Sequence, residues 1–323
     1  MAKGIVLYFH NEVNEVLFEK IILALKARYR LVSAEELEER LLQKQDLKNI
    51  CHISFDDGER SFYDTVFPLL KKHQVPVSLF VSPEIIASNK NYWFQEINGY
   101  DVVKLKNVIT DELQIAADKI APFTPQDVLK SLTFAEISKV ISSYQQQTGT
   151  TPKAPVNMNV EELRIVDRSG LVTIGAHTIN HPILKNEDDQ NSDHEIVSSI
   201  KMLEELLQHP VKYFAYPNGR PGVDFGEREI SYLQKNGITL AFSTELGCLS
   251  PNSNMLSLPR NGFGRMGLSP SNPLIYLRLS LGKKWIDIKS IARPSEKKLR
   301  RKINAALGWD VSAKHCRQGK QSG

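Results

Sequence analysis

Apolar residues fall along this chain in two rhythms. The run Gly4-Ile-Val-Leu-Tyr-Phe9 is apolar at every position after the glycine, which is how a strand buried on both faces reads. A helical pattern follows over about 12–28, then a short strand near 29–32. Ser33-Ala34-Glu35-Glu36 forms a capping box: the serine oxygen is placed for the amide of Glu36, and the Glu36 carboxylate for the serine amide. The helix it opens runs to about Gln43. Ile50–Phe55 is the next strand, Phe62–His73 a helix and Val75–Val81 another strand. Alternation at this spacing predicts βαβ units and a parallel sheet, open or closed.

From about Ser88 to Pro155 the rhythm changes. Helical stretches over Asp111–Ala121, Pro125–Leu132 and Phe134–Gln147 are separated by Pro122, Pro125, Gly149 and Pro152, the pattern of a helical insertion or lid. Alternation then resumes with helix Val160–Ser169, strand Leu171–Ile174, helix Asp193–His209, strand Val211–Ala215, helix Glu227–Asn236 and strand Thr239–Ser243. The expected division is an α/β domain over 1–270, carrying the insertion at about 88–155, and a tail over 271–323 that is helical around 295–307.

Charge changes the picture at the C-terminal end. Residues 278–323 hold 13 Lys and Arg against three acids (Asp287, Glu296, Asp310), a net of +10, so the rest of the chain carries −6 of the overall +4. Such a tail suits a solvated helix, a polyanion or an anionic membrane surface. Few aromatics are interleaved and no nucleic-acid motif occurs, so no nucleic-acid partner is expected, and peripheral membrane contact through 278–323 is the sharper alternative. No apolar run reaches the roughly 18–20 residues needed to span a bilayer. Met1-Ala2-Lys3 leads directly into the first strand without the parts of a secretory signal. Cys51, Cys248 and Cys316 form neither a disulfide framework nor a zinc pair. A reduced, cytoplasmic setting is expected, with peripheral contact at the inner membrane face as the variant the tail suggests.

Four clusters could carry chemistry, each where a buried strand meets a turn, the end at which parallel α/β folds bind ligands. Asp56 and Asp57 lie in Ser54-Phe55-Asp56-Asp57-Gly58; one carboxylate could hold a metal while the other handles a proton, and the bland alternative is a solvated Asx-turn. In Gly175-Ala176-His177-Thr178-Ile179-Asn180-His181-Pro182, one helical turn would put His177 and His181 on one face, and two histidines with one carboxylate make a catalytic zinc site with a position left for water. Phe214-Ala215-Tyr216-Pro217-Asn218-Gly219 is a turn whose amides could face a ligand, or an ordinary β-turn. His10 ends the first strand and suits a general acid, although a lone histidine is more often a packing residue. His73, His194 and His209 have no such context.

Together and in this order, these clusters resemble the NodB-homology polysaccharide deacetylases (carbohydrate esterase family 4) over roughly residues 4–263. Phe55-Asp56-Asp57-Gly58 is similar to the family's Asp-Asp motif, His177–Pro182 to its His-Thr-x-x-His motif and Phe214–Gly219 to its Tyr-Pro-x-Gly form. The resemblance implies a distorted (β/α) barrel and one divalent metal ion, zinc by its donor set, held by Asp57, His177 and His181. It implies Asp56 as general base, and a turn at Tyr216, Pro217 and Asn218 that lends an amide to the oxyanion and a wall to the sugar groove. Ser54 stands where the family usually has Thr, the arginine of the third motif is absent, and no Leu-x-His motif appears. Tyr8-Phe9-His10-Asn11 resembles the circularly permuted poly-N-acetylglucosamine deacetylases, in which His10 would supply the general acid. Leu258-Pro259-Arg260 resembles the segment whose arginine braces the catalytic Asp, the alternative being a pair with a surface acid. The implied activity is metal-dependent removal of acetyl groups from N-acetylated sugars of a polysaccharide or its precursor. O-acetyl esters, cyclic amides on the same site, and non-catalytic carbohydrate binding are the rivals.

Overall fold

The computed structural model describes residues 2–10, 14–263 and 296–309. In chain order its elements begin with β1 (Ile5–Phe9), α1 (Glu15–Lys26), β2 (Arg30–Leu31), α2 (Ala34–Leu42) and β3 (Ile50–Asp56). A π-helical turn Phe62–Val66 leads into α3 (Phe67–His73), followed by β4 (Val77–Val81). α4 (Pro83–Ala87) comes next, and the insertion holds α5 (Trp93–Glu96), α6 (Val102–Leu113), α7 (Ala117–Ile120), α8 (Pro125–Leu129) and α9 (Phe134–Thr148). Then come α10 (Val160–Asp167), β5 (Val172–Ala176), a 3-10 turn Leu184–Asn186, α11 (Asp189–Leu207), β6 (Tyr213–Ala215), α12 (Glu227–Lys235), β7 (Leu240–Phe242) and β8 (Asn261–Gly262). The last described helix is α13 (Glu296–Ala306).

The strands pair in parallel in the order β7–β6–β5–β4–β3–β1–β8, with β2 beside the start of β3. The sheet curls until its edges meet. Leu258 donates its amide to Ala241 of β7 and accepts from Ser243, and a few residues on Asn261 and Gly262 pair with Leu7 and Tyr8 of β1. The fold is a distorted (β/α) barrel ringed by helices, as the motif resemblance implies; the strand–helix alternation predicts the parallel sheet but leaves it open or closed.

Side-chain alternation along β3 explains what the barrel encloses. Cys51, Ile53 and Phe55 join the apolar layer beneath the outer helices, together with Leu7, Phe9, Leu79, Val81 and Ile174. His52, Ser54 and Asp56 take the opposite face and are buried too. His52 bonds Val32 O at 2.9 Å and Ser78 Oγ at 3.0 Å, so both ring nitrogens are satisfied; burial holds its pKa down at about 4. The β3 run is thus apolar on one face and polar on the other, yet buried on both.

Ser33 Oγ does accept from the Glu36 amide at 3.2 Å, but Glu36 does not reach back. Its carboxylate pairs with Arg40 at 2.8 Å and with Arg30, so only half of the expected capping box forms. The helix expected over Asp111–Ala121 is displaced: α6 ends at Leu113 and α7 is a separate turn, with Gln114 between them in the left-handed conformation. The insertion has a core of its own, which includes Ile109, Ile120, Leu129, Ile137 and Val140. Ile303 and Leu307 belong to that core, so residues 296–309 of the expected tail pack on the insertion. The rest of 271–323, including most of the segment read as a membrane contact, lies outside the described residues. Among the described residues no helix is long and apolar enough to cross a membrane.

Candidate active site

Asp56 closes β3 on the inner face, and the chain then turns sharply. Asp57 and Gly58 both have positive φ, 74° and 70°. A Cβ at position 58 would lie 2.7 Å from Val81 Cγ1, so this turn needs glycine for space as well as for conformation. The turn aims Asp57 across the mouth of the barrel. The segment after β5 is not helical: Thr178 and His181 take left-handed backbone conformations, φ 64° and 59°. An irregular loop, rather than one helical turn, brings His177 and His181 together, their ring centroids 4.7 Å apart.

Sequence distance gives no hint of what holds that loop. Glu195 on α11 is buried and accepts from the amides of Ile179 and Asn180, both at 2.9 Å, and from Asn180 Nδ2 at 2.8 Å. Trp93 of the insertion donates Nε1–H to His181 O at 3.1 Å, and Tyr92 donates its hydroxyl to Asp57 O at 2.9 Å. Ser82 Oγ donates to His177 O at 2.9 Å. Glu195, Tyr92, Trp93 and Ser82 are absent from the motif reading because none lies within a motif.

Asp57 Oδ1 is 3.8 Å from His177 Nε2 and 3.7 Å from His181 Nε2, too long for hydrogen bonds. That oxygen is buried without a hydrogen-bond partner. Ligand atoms about 2.0–2.2 Å from a tetrahedral cation sit about 3.3–3.6 Å apart, so the triangle is slightly open but of the right size. His177 donates Nδ1–H to Ala215 O at 2.6 Å, which leaves the Nε2 lone pair free to ligate. Burial lowers the pKa of His177; burial, and then the neighbouring His177, brings His181 down to about 3. For Asp57 burial acts upward but is outweighed by His10, His181 and His177, which hold it at about 2. An ionised carboxylate and two neutral imidazoles are the protonation states that a metal requires. Asp57, His177 and His181 fit a divalent cation.

Asp56 is gripped by Arg260, Nη1 to Oδ1 at 2.7 Å and Nη2 to Oδ2 at 2.9 Å. Arg260 also donates to Ser243 O and Ser54 Oγ, and its guanidinium lies over the Tyr8 ring at 4.7 Å. It has no exposed surface, which excludes the surface-acid alternative. Burial would raise the pKa of Asp56; Arg260 more than offsets it and holds the carboxyl below its ordinary value. His10 stands at the cleft mouth with 54% of its side chain exposed, Nδ1 3.6 Å from Asp57 Oδ2. Its pKa is lowered by desolvation but raised by more through the Asp57 carboxylate, so the net direction is upward.

The third motif departs from expectation. The Tyr216 ring is buried, stacked 3.6 Å from Phe225, and its hydroxyl donates to Leu256 O. Its amide donates to Phe242 O at 3.2 Å. Tyr216 therefore supplies neither a wall to the groove nor a free amide to an oxyanion, because strand closure uses both. Pro217 has no N–H, and its carbonyl accepts from Gly219. Asn218 does line the cleft. The wall comes instead from the insertion, with Trp93, Phe94 and Tyr100 lining a cleft of about 1050 Å3.

A barrel that gathers two carboxylates and two imidazoles at the carboxyl ends of its strands has the make-up of a hydrolase. The sequence model of the family "Polysaccharide deacetylase" matches residues 43–119 and 124–241, more than half of the chain. This chain belongs to the polysaccharide deacetylase family, hydrolases that act on the carbon–nitrogen bonds of acetylated sugars. The match stops short of His10 and Arg260. No curated protein matches the chain in sequence. In fold it is similar to the Streptococcus pyogenes deacetylase PplD in complex with acetate (TM-score 0.55, 17% identical, 86% of this chain and 97% of that one). It is also similar to IcaB from Ammonifex degensii (0.56, 16%, 88% and 97%) and to the deacetylase domain of BpsB from Bordetella bronchiseptica (0.54, 13%, 81% and 96%).

Proposed function

We propose that the chain is a metal-dependent deacetylase of N-acetylated sugars in a polysaccharide or its precursor, with zinc held by Asp57, His177 and His181. The observation that carries this reading is the buried, partnerless Asp57 Oδ1 facing two neutral imidazoles, beside a second carboxylate locked by Arg260. A divalent cation there would polarise the acetyl carbonyl and acidify a water molecule. Asp56, kept ionised by Arg260 and lining the cleft, takes the proton of the attacking water. His10, protonated at the cleft mouth, gives its proton to the leaving amine. The aromatic wall of Trp93, Phe94 and Tyr100 offers apolar faces for sugar rings.

The test measures acetate release and metal content together. Asp56→Asn is expected to keep the metal and lose at least about 100-fold in kcat, the usual contribution of a general base; His177→Ala is expected to lose both. An Asp56→Asn variant with near wild-type turnover would refute the assignment of Asp56. Parallel assays on N-acetyl, O-acetyl and cyclic-amide substrates identify the bond cleaved.

A further inference from the structure

The cleft carries a charge that the hydrolytic chemistry does not use. Lys130, the residue after α8, is half-buried in the cleft wall and donates Nζ–H to Asn218 Oδ1 at 3.1 Å. Asn218 is fixed from its other side: Nδ2 donates to Asp224 Oδ2 at 2.6 Å and to Glu296 Oε1 at 3.0 Å, the latter from α13. Both of these acids have cations of their own. Glu296 pairs with Arg220 at 2.7 Å and Asp224 with Arg300 at 3.5 Å. Lys130 makes no ion pair among the described residues and its hydrogen bond goes to a neutral amide oxygen; its charge acts on Glu296 from a distance, so three cations (Lys130, Arg220 and Arg300) share two carboxylates. A second lysine of the insertion, Lys153, also lines the cleft, and its Nζ donates to the carbonyls of Gln95 and Asn98 rather than to an acid. A half-buried ammonium with two donors to spare is costly unless something negative meets it. The carboxylates lining the same cleft are Asp56, Asp57 and Glu59; Asp56 answers to Arg260, Asp57 to the imidazoles, and Glu59 accepts from Gln95 at 3.3 Å.

We infer that Lys130 is an anion subsite of the cleft, that the substrate is an acetylated sugar bearing a phosphate or carboxylate, and that Asn218 and Glu296 are the residues that position the lysine. The proposal rests on the deacetylase reading for the sugar, but the anion preference is a property of binding and is measured without turnover. The probes are a neutral N-acetylglucosamine oligomer, the same oligomer bearing a phosphate and the same oligomer bearing a carboxylate, titrated calorimetrically into the full chain. One of the two anionic forms is expected to bind at least about tenfold tighter than the neutral one, equivalent to roughly 1.4 kcal/mol, with the advantage shrinking as salt is added. The phosphate and carboxylate arms identify which anion is read. Lys130→Met is expected to bring the ratio close to unity, Lys130→Arg to retain most of it, and Asn218→Leu, which removes the oxygen that holds the ammonium, to lower it. Equal affinity for all three probes in the wild type, or a preference that survives Lys130→Met in a folded protein, overturns the proposal. A preference lost in Lys130→Met while no probe releases acetate would sustain the subsite and refute the deacetylase reading instead.

Discussion

Arg260 is among the largest fully buried side chains, and its charge has one main counterweight, the Asp56 carboxylate. A bidentate pair of this kind costs little to keep and much to break, because removing one partner strands the other charge away from water. Arg260→Met is therefore expected to destabilise the protein by about 3–5 kcal/mol at neutral pH. Asp56→Asn/Arg260→Met is expected to cost much less than the two single effects summed. Urea unfolding of the four forms measures the coupling. The sign with pH follows from the shift: Arg260 holds the folded Asp56 below its unfolded value, so the pair's contribution is present above the unfolded pKa and is lost as pH falls through the folded one. The penalty of Arg260→Met should accordingly shrink towards acid pH, where the stranded carboxyl takes up a proton. A coupling near zero would mean that Ser54, Ser243 and the Tyr8 ring, not Asp56, keep Arg260 in place.

At the scale of elements, legibility followed burial. β1 and β4 were readable because strands covered on both faces are written as unbroken apolar or small-residue runs, β3 because Ile50, Cys51, Ile53 and Phe55 carry enough of that signal despite His52 and Ser54, and the alternation with helices fixed their parallel sense. α6 was not, because it opens with Val102 and Val103, which are exposed, so the hydrophobic rhythm misplaces its start. Asp57, His177, His181 and Asp56 could be named from motif resemblance, but their geometry could not. His177 and His181 converge through a left-handed loop held by Glu195, and Tyr216 turns away because barrel closure needs its amide and hydroxyl. Such contacts are tertiary and leave no local signal. Glu187 is another: it accepts from Phe134 N at 2.7 Å, tying the loop after β5 to the first turn of α9. Burial, reinforced by Glu195, Asp188 and Glu136 against the Phe134 bond, raises its pKa to about 7. With the unfolded value near 4.3, the folded state holds this proton more tightly, so stability falls as pH rises from about 4 to 7. Glu187→Gln keeps an acceptor for Phe134 and removes the titration. The variant is expected to gain on the order of 2–3 kcal/mol over wild type between pH 5 and pH 8, read as the change in their Tm difference. A difference independent of pH would show that Glu187 is already ionised in the fold.

The described residues form three apolar cores, two built on the barrel strands and one inside the insertion, and α13 belongs to the last. Ile303 and Leu307 bury their side chains among residues that include Ile120, Val128 and Leu129, while Glu296 and Arg300 tie α13 to Arg220 and Asp224 beside the third motif. Burying two aliphatic side chains is worth roughly 3–6 kcal/mol, a large part of what a separate helical layer can muster. The three side chains placed to hold a metal, by contrast, stand at and just beyond strand ends of the barrel. A chain ended at residue 295 is therefore expected to divide in its behaviour. Metal binding should persist within about threefold. Protease cleavage within residues 88–155 should accelerate by at least about tenfold, because the insertion then opens sub-globally below the barrel's own stability. Full-length Ile303→Asp should reproduce the cleavage while keeping the charged face of α13, which separates loss of packing from loss of the Glu296 and Arg300 contacts. Unchanged cleavage in both would mean that the insertion closes its core without α13. Loss of metal in the truncated chain would mean that the wall of Trp93 and Tyr92, which grips His181 and Asp57 through their carbonyls, transmits the insertion's order directly to the ligands.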